Sequence, residues 1–173
     1  MKNMKKWMNA AVAVLLLALL SGCTRPATDR YVGTYTYKTS GTVTVEVKVN
    51  IPVTGATVSP GTYTFELTPE VGRMDIKGYG DDTILVSMNA LGGVAQAFEA
   101  VLTADGFQLV PATRMLQLGL LPKMEVTVSG NAFLLDGVLY LHLNYSGKES
   151  ALITSFSITD SDVLCLATIS RNL

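Results

Sequence analysis

The chain has 173 residues and a formal net charge of −1 at neutral pH, with 49% hydrophobic and 16% charged residues. This length suits one domain with a sizeable core. The absence of a net positive charge argues against a protein that binds nucleic acid. One histidine and two cysteines are too few for an ordinary transition-metal site or a histidine-based triad. We therefore expect no catalytic residues, no metal and no cofactor, and we do not expect an enzyme.

The first 22 residues have the composition of a secretory signal. Lys2, Lys5 and Lys6 precede an unbroken apolar run over residues 10–20, and small residues follow it. The run is shorter than the roughly 20 residues that a membrane-spanning helix needs. We therefore predict a cleaved signal peptide at residues 1–22, and its removal leaves 151 residues with a net charge of −4, because the leader holds three of the 13 basic residues and none of the 14 acidic ones.

The end of the leader resembles the lipobox of bacterial lipoproteins. Leu20-Ser21-Gly22-Cys23 has the branched apolar residue, the two small residues and the cysteine of that motif. The resemblance implies that Cys23 carries the lipid and becomes the first residue, which anchors the chain to a membrane because each buried methylene contributes about 0.8 kcal/mol. Residues 23–30 are then a lipidated, polar tether. Cys165 has no partner left, and we expect a buried and unreactive thiol.

Alternating side chains predict strands from Tyr31 onward. The clearest strand lies at residues 43–51, where an apolar residue at every second position shares one face. Residues 63–67, 124–128 and 139–145 alternate in the same way, and turn signals rich in glycine separate these runs at hairpin spacing. About eight short strands without helices over residues 31–173 predict an all-β fold, either a barrel or a sandwich.

Two segments leave their conformation open. Residues 89–102 contain alanine-rich stretches, but Gly92-Gly93 weakens a helix and the end of the segment alternates, which favours strand or irregular structure. Residues 115–121 are apolar without a clear period and end at Pro122, so they form either a loop that closes one end of the barrel or part of the core.

Taken together, these motifs resemble those of a known family. Tyr31-Val32-Gly33-Thr34-Tyr35-Thr36, directly after a lipobox and tether, is similar to the first strand of the calycin-like β-barrel lipoproteins of Bacteroidetes, and the strand ending Val126-Thr127-Val128-Ser129-Gly130 fits the same pattern. The resemblance covers most of residues 31–146. It implies an antiparallel up-and-down, calycin- or lipocalin-like barrel of about eight strands over residues 31–173, anchored to the outer membrane. It implies little about activity, because a fold alone confers none.

The resemblance also bears on location and modification. A surface-export signal in such bacteria is usually an acidic stretch after the lipidated cysteine, and residues 24–29 are not rich in acid, which favours the periplasmic face over the cell surface. Asp82-Thr83-Ile84 resembles the short motif at which these bacteria O-glycosylate exported proteins, so Thr83 is a candidate modification site.

Two functions fit an eight-stranded barrel, which is just wide enough either to be filled by its own side chains or to hold one small ligand. The leading hypothesis is a lipid-anchored binding module of the cell envelope that takes a small apolar ligand. The alternative is a structural or interaction lipoprotein with a filled barrel, which contacts another envelope protein through its loops, with residues 115–121 as the candidate contact. In both cases the expected interior residues are Val43, Val45, Val47, Val49, Tyr63 and Phe65.

Overall fold

The computed structural model describes residues 27–49, 60–91, 93–150 and 154–170. A 3-10 helix at Ala27–Arg30 precedes ten strands. The strands are β1 (Gly33–Val49), β2 (Gly61–Glu66), β3 (Val71–Gly78), β4 (Thr83–Ala90), β5 (Gln96–Leu102), β6 (Gly106–Leu116), β7 (Met124–Leu135), β8 (Val138–Ser146), β9 (Lys148–Ser150) and β10 (Thr154–Ile169). Within these ranges no helix has the length and apolar content to cross a membrane.

The strands form one antiparallel sheet that closes on itself. Successive strands are neighbours from β3 to β8, β10 follows β8, and β1 pairs with both β3 and β10. Eight strands (β1, β3 to β8 and β10) therefore make a closed up-and-down barrel, and this confirms the predicted calycin- or lipocalin-like architecture. Inward-facing side chains are mainly apolar along each strand.

The barrel has two distinct ends. At one end, which we call the turn end, residues 79–82, 103–105 and 136–137 connect the strands. At the other end, which we call the mouth, residues 91–95 and 117–123 connect them.

Residues 27–30, expected as part of the tether, form the 3-10 helix at the turn end. The Thr28 carbonyl accepts hydrogen bonds from the backbone N–H groups of Tyr31 and Val32, and the Thr28 side chain is buried against the end of β3. Residues 27–30 are therefore structured and contact the barrel, and Cys23 lies outside the described residues.

The half of the barrel next to the turn end is filled by its own side chains. The Tyr31 ring meets the Phe107 ring edge-on at 5.3 Å, and the Tyr35 hydroxyl donates a 2.8 Å hydrogen bond to the Tyr31 carbonyl. Aliphatic and sulfur-containing side chains that are almost completely buried complete this layer: Met74, Ile76, Ile84, Val86, Leu109, Leu139, Leu141 and Cys165. No space for a ligand is expected among them.

β1 and β10 extend past the mouth as a long ribbon. Their pairing runs from Tyr35 and Ile169 to Val49 and Thr154, and it shifts register once, at Thr159. β2 pairs with the outer half of β1, and β9 pairs with the outer part of β10. These four segments form a sheet extension on one side of the mouth, made of β2, the outer half of β1, the outer half of β10, and β9.

The apolar face of this sheet extension has its own packing partners. Val43, Val45 and Val47 are buried there with Phe156, in the same core cluster as two leucines of residues 117–123. A Cβ at Gly119 in that loop would lie 3.3 Å from the Phe65 ring, so the loop rests on the extension. Residues 115–121 are thus the end of β6 followed by a loop at the mouth, and residues 96–102 of the other open segment are strand β5, as favoured.

Gly41 allows β1 and β10 to pack closely where the barrel meets the extension. Its φ is +147°, and a Cβ there would lie 2.1 Å from the Asp162 carbonyl oxygen. We predict that Gly41→Ala lowers the free energy of unfolding by more than about 2 kcal/mol, because the backbone of β10 has to shift. Urea denaturation of the chain from residue 24 onward measures this.

Gly137 provides the matched control. It also has a positive φ, of +78°, but a Cβ there would meet no atom within 4 Å. Gly137→Ala is expected to cost only about 1 kcal/mol, from backbone strain alone. Equal losses for the two variants would contradict the proposed close contact at Gly41.

Candidate functional site

A cavity of about 240 Å³ occupies the half of the barrel next to the mouth. Side chains from β1, β4 to β8 and β10 line it, together with residues 67–70 between β2 and β3. The lining is mixed, and eleven of its nineteen residues are apolar: Leu67, Met88, Ala90, Val94, Phe98, Met115, Leu116, Val126, Val128, Leu143 and Val163. The polar lining residues are Tyr37, Thr39, Thr68, Glu70, Gln96, Arg114, Gln117 and Tyr145.

The two halves of the barrel differ in how completely side chains fill them. At the turn end the barrel is filled by the rings of Tyr31, Tyr35 and Phe107. At the level of the cavity, three valines lie among larger side chains such as Tyr37 and Phe98. The side chains there leave space that the chain itself does not fill.

The barrel wall is weakest between β5 and β6. Only three residue pairs join these strands, all of them near the turn end. Pro111 follows in β6 and has no N–H to donate, and the register of β6 against β7 shifts between Leu109 and Ala112. Above this point no pairing joins residues 96–99 of β5 to residues 110–116 of β6 in the described sheet.

The Arg114 side chain spans the gap between β5 and β6. Its Nη2 donates a 2.7 Å hydrogen bond to the Ala97 carbonyl, and its Nη1 donates a 2.9 Å hydrogen bond to the Thr113 carbonyl. The guanidinium carbon lies 4.8 Å from the centre of the Phe98 ring, within range of a cation–π interaction. The Arg114 Nε is buried and forms no hydrogen bond with any described residue.

The opposite wall of the cavity carries a carboxylate. Glu70 lies just before β3, and its backbone N–H donates a 3.0 Å hydrogen bond to the Thr39 hydroxyl of β1. Burial, reinforced by the charge of Glu70, raises the pKa of Tyr37 and Tyr145 to about 12. Both phenols are therefore neutral donors at physiological pH.

The residues expected to line the interior lie elsewhere. Val43, Val45 and Val47 are buried in the sheet extension, while Val49, Tyr63 and Phe65 are half-buried on it. None of the six is among the residues that line the cavity. Thr83 is half-buried at the start of β4, beside the turn at residues 79–82.

Sequence reasoning did not identify Arg114 as a site residue. The register shift after Leu109 changes the phase of β6, so that Arg114 shares a face with the partly buried Ala112 and Leu116. An arginine on an apolar face just after a proline was the available signal.

Other candidate chemistry is absent from the part of the chain that the structure describes. There, no three histidine, cysteine, aspartate or glutamate side chains come together as a metal site. His142 is exposed on the outer face, with its ring centre 6.4 Å from that of Phe133. Cys165 is buried, as expected, and burial with the charge of Glu70 raises its pKa to about 12.

A second depression, of about 380 Å³, lies beside the β5–β6 turn. It is more open than the mouth cavity, and polar or turn residues such as Thr103, Asp105 and Asn131 form much of its lining. The mouth cavity is therefore the better candidate for an apolar ligand.

Comparison of the chain with protein-family models and with curated proteins finds no match. The class of the protein thus rests on its fold, which is that of a closed, eight-stranded calycin- or lipocalin-like barrel.

The raised pKa of Tyr145 makes a prediction about pH. Between pH 10 and 12 the folded state keeps a phenol proton that the unfolded state has lost, so the free energy of unfolding falls as pH rises through this window. We expect Tyr145→Phe to reduce this fall by about 1–2 kcal/mol, less than the full shift implies because the ring is partly exposed. Urea denaturation at pH 9, below this window, and at pH 12, at its upper end, measures the difference.

Tyr79→Phe is the control, because Tyr79 is 70% exposed in the turn between β3 and β4. It should leave the pH dependence unchanged. An identical pH dependence for wild type and Tyr145→Phe would show that Tyr145 ionises in the folded protein as it does in the unfolded chain.

Proposed function

We propose that the protein is a binding module, not an enzyme, and that it holds a small and mostly apolar ligand in the mouth cavity. The observation that carries this proposal is the contrast between the two halves of the barrel, one filled by side chains and one left with about 240 Å³ of space lined by apolar and polar side chains. Drug-sized ligands occupy roughly 300–1,000 Å³. The ligand is therefore small, or part of it extends out of the mouth.

The rim of the mouth supports this assignment. Leu91 and Val94 in the β4–β5 connection are more than 80% exposed, Met115 at the end of β6 is 63% exposed, and Leu120 is fully exposed. Val94 and Met115 also line the cavity, so apolar surface continues from the rim to the interior. Such a surface favours the transfer of an apolar molecule into the cavity.

We further propose that lipid on Cys23 anchors the protein to the outer membrane, with its barrel on the periplasmic side. The lipobox and the resemblance to calycin-like lipoproteins of Bacteroidetes support this proposal. Residue 27 lies at the turn end, only four residues after Cys23, so the anchor would hold the turn end next to the membrane. The mouth would then face away from the anchoring membrane and collect its ligand from the aqueous side.

A second function, contact with another envelope protein, is favoured by one observation. Leu120 and Leu91 are exposed at the mouth although other leucines of the β6–β7 connection, Leu118 and Leu121, are buried. Leu120→Glu distinguishes the two functions, because it would disrupt a protein contact at the rim and leave the cavity lining intact.

A substitution that fills the cavity tests ligand binding. Val128 points into the cavity from β7 and is almost fully buried. We expect Val128→Phe to weaken binding of the apolar fluorophore N-phenyl-1-naphthylamine by at least about tenfold, since overpacking an occupied site costs about 1–3 kcal/mol. Fluorescence titration of the chain from residue 24 onward, which contains all ten strands, gives the dissociation constant.

Val101→Phe serves as the control because Val101 is 46% exposed and is not among the residues that line the cavity. This variant should bind the fluorophore as wild type does. Unchanged binding by Val128→Phe, or no binding by wild type, would remove the support for a cavity ligand.

The anchor has its own test. Cys23→Ser removes the only thiol at the lipobox, so we expect the protein to move from the detergent phase to the aqueous phase in a detergent partition of expressing cells. Cys165→Ala is the matched variant and should stay in the detergent phase, since Cys165 is buried in the core. Membrane association of Cys23→Ser equal to that of wild type would contradict the anchor.

A further inference from the structure

The two charged groups of the cavity lining differ in their surroundings. Arg114 lies on β6, four strands around the barrel from β1, and Glu70 lies beside β1 on the opposite wall. Among the described residues, no other charged side chain lines the cavity. The cavity thus has a basic wall and an acidic wall with apolar side chains between them.

Arg114 lacks a negative partner in the described part of the chain. The salt bridges found there are Lys48 with Glu46 and Arg73 with Asp75, and neither involves Arg114. The hydrogen bonds from Arg114 go to two neutral carbonyl groups, of Ala97 and Thr113. A positive charge next to an apolar cavity is costly to leave without an anion.

The unused donors of Arg114 indicate how an anion would bind. Arg114 lines the cavity, and Nη1 and Nη2 each donate one N–H to a carbonyl of β5 or β6, which leaves a second N–H on each nitrogen for a ligand. The Nε–H is buried without a hydrogen-bond partner among the described residues. The guanidinium is therefore already oriented by its hydrogen bonds and by the Phe98 ring. A carboxylate is the group that a guanidinium binds best at short range, and a single negative charge suits a cavity with Glu70 on its other wall.

We propose that Arg114 is the head-group site of the cavity, and that the ligand is a single-chain amphiphile with a carboxylate at one end. The carboxylate contacts Arg114 at the gap between β5 and β6, and the apolar chain lies against Phe98, Val126 and Val128. This inference rests on the proposed function and deepens it by naming the ligand class.

Three probes with the same ten-carbon chain test the proposal: decanoic acid, decanol and decylamine. Their affinities for the chain from residue 24 onward are measured at neutral pH by displacement of N-phenyl-1-naphthylamine. We expect wild type to bind decanoate at least about tenfold more tightly than decylamine, because a charge-assisted hydrogen bond replaces a repulsion. The ratio of the two affinities is the readout, since damage to the cavity alone weakens all three probes together.

Two variants at one position isolate the charge. Arg114→Gln keeps a side-chain donor near the Ala97 carbonyl but is neutral, so the decanoate preference should fall by about tenfold or more. Arg114→Lys keeps the charge and should retain part of the preference. Lys77→Met removes an exposed positive charge from β3, away from the cavity lining, and should change nothing.

Glu70→Gln completes the set. Removal of the opposite carboxylate should raise the affinity for decanoate and lower it for decylamine, each by a few fold.

Equal affinities of wild type for decanoate and decylamine would overturn the proposal, and so would a preference that persists in Arg114→Gln. If decanol binds wild type but the affinities for decanoate and decylamine are equal, the proposed binding function stands and only the head-group site fails. If none of the three probes binds wild type, both fail.

Discussion

The pairing of β1 with β10 is the constraint on which the rest of the structure depends. It joins the two ends of the described chain, from Tyr35 and Ile169 outward, and converts an open meander into a closed barrel. These contacts are very distant in sequence, so they carry a large loop-closure entropy cost. At Gly41 the two backbones approach so closely that a Cβ would meet the Asp162 carbonyl.

The same pairing also shapes the site. Because β1 and β10 continue beyond the mouth, they carry the valine row of β1 onto the sheet extension, where Phe156 is buried in the same core cluster. The barrel interior at the mouth contains small side chains such as Ala90 beside larger ones such as Phe98, with space between them. The turn end is filled by side chains, and the valine row does not line the cavity.

Much of the fold could be predicted from the sequence, because period-two alternation and glycine turns are local signals. The strands at residues 43–49, 63–66, 124–128 and 139–145 are observed, as is the closed barrel. The position of the valine row could not be predicted, since alternation shows which residues share a face but not how far a strand extends beyond its neighbours. β1 pairs with β3 along one half and with β2 along the other, and only the register reveals this division.

The site was harder to predict for a related reason. Arg114 faces the cavity only because the bulge after Leu109 shifts the phase of β6, and the sequence there shows only a proline within an apolar stretch. Cavity volume depends on the sum of many inward side chains from strands that are distant in sequence. Neither the phase of β6 after the bulge nor the cavity volume follows from a periodic pattern within one strand.

The most direct test of the account is a methyl NMR titration of the chain from residue 24 onward with decanol. The account predicts shift changes and ligand contacts at the methyl groups of Val126, Val128 and Val163 in the cavity, with Val43, Val45 and Val47 of the sheet extension unaffected. Changes confined to the valine row of the extension, or no saturable change at any of these methyl groups, would contradict it.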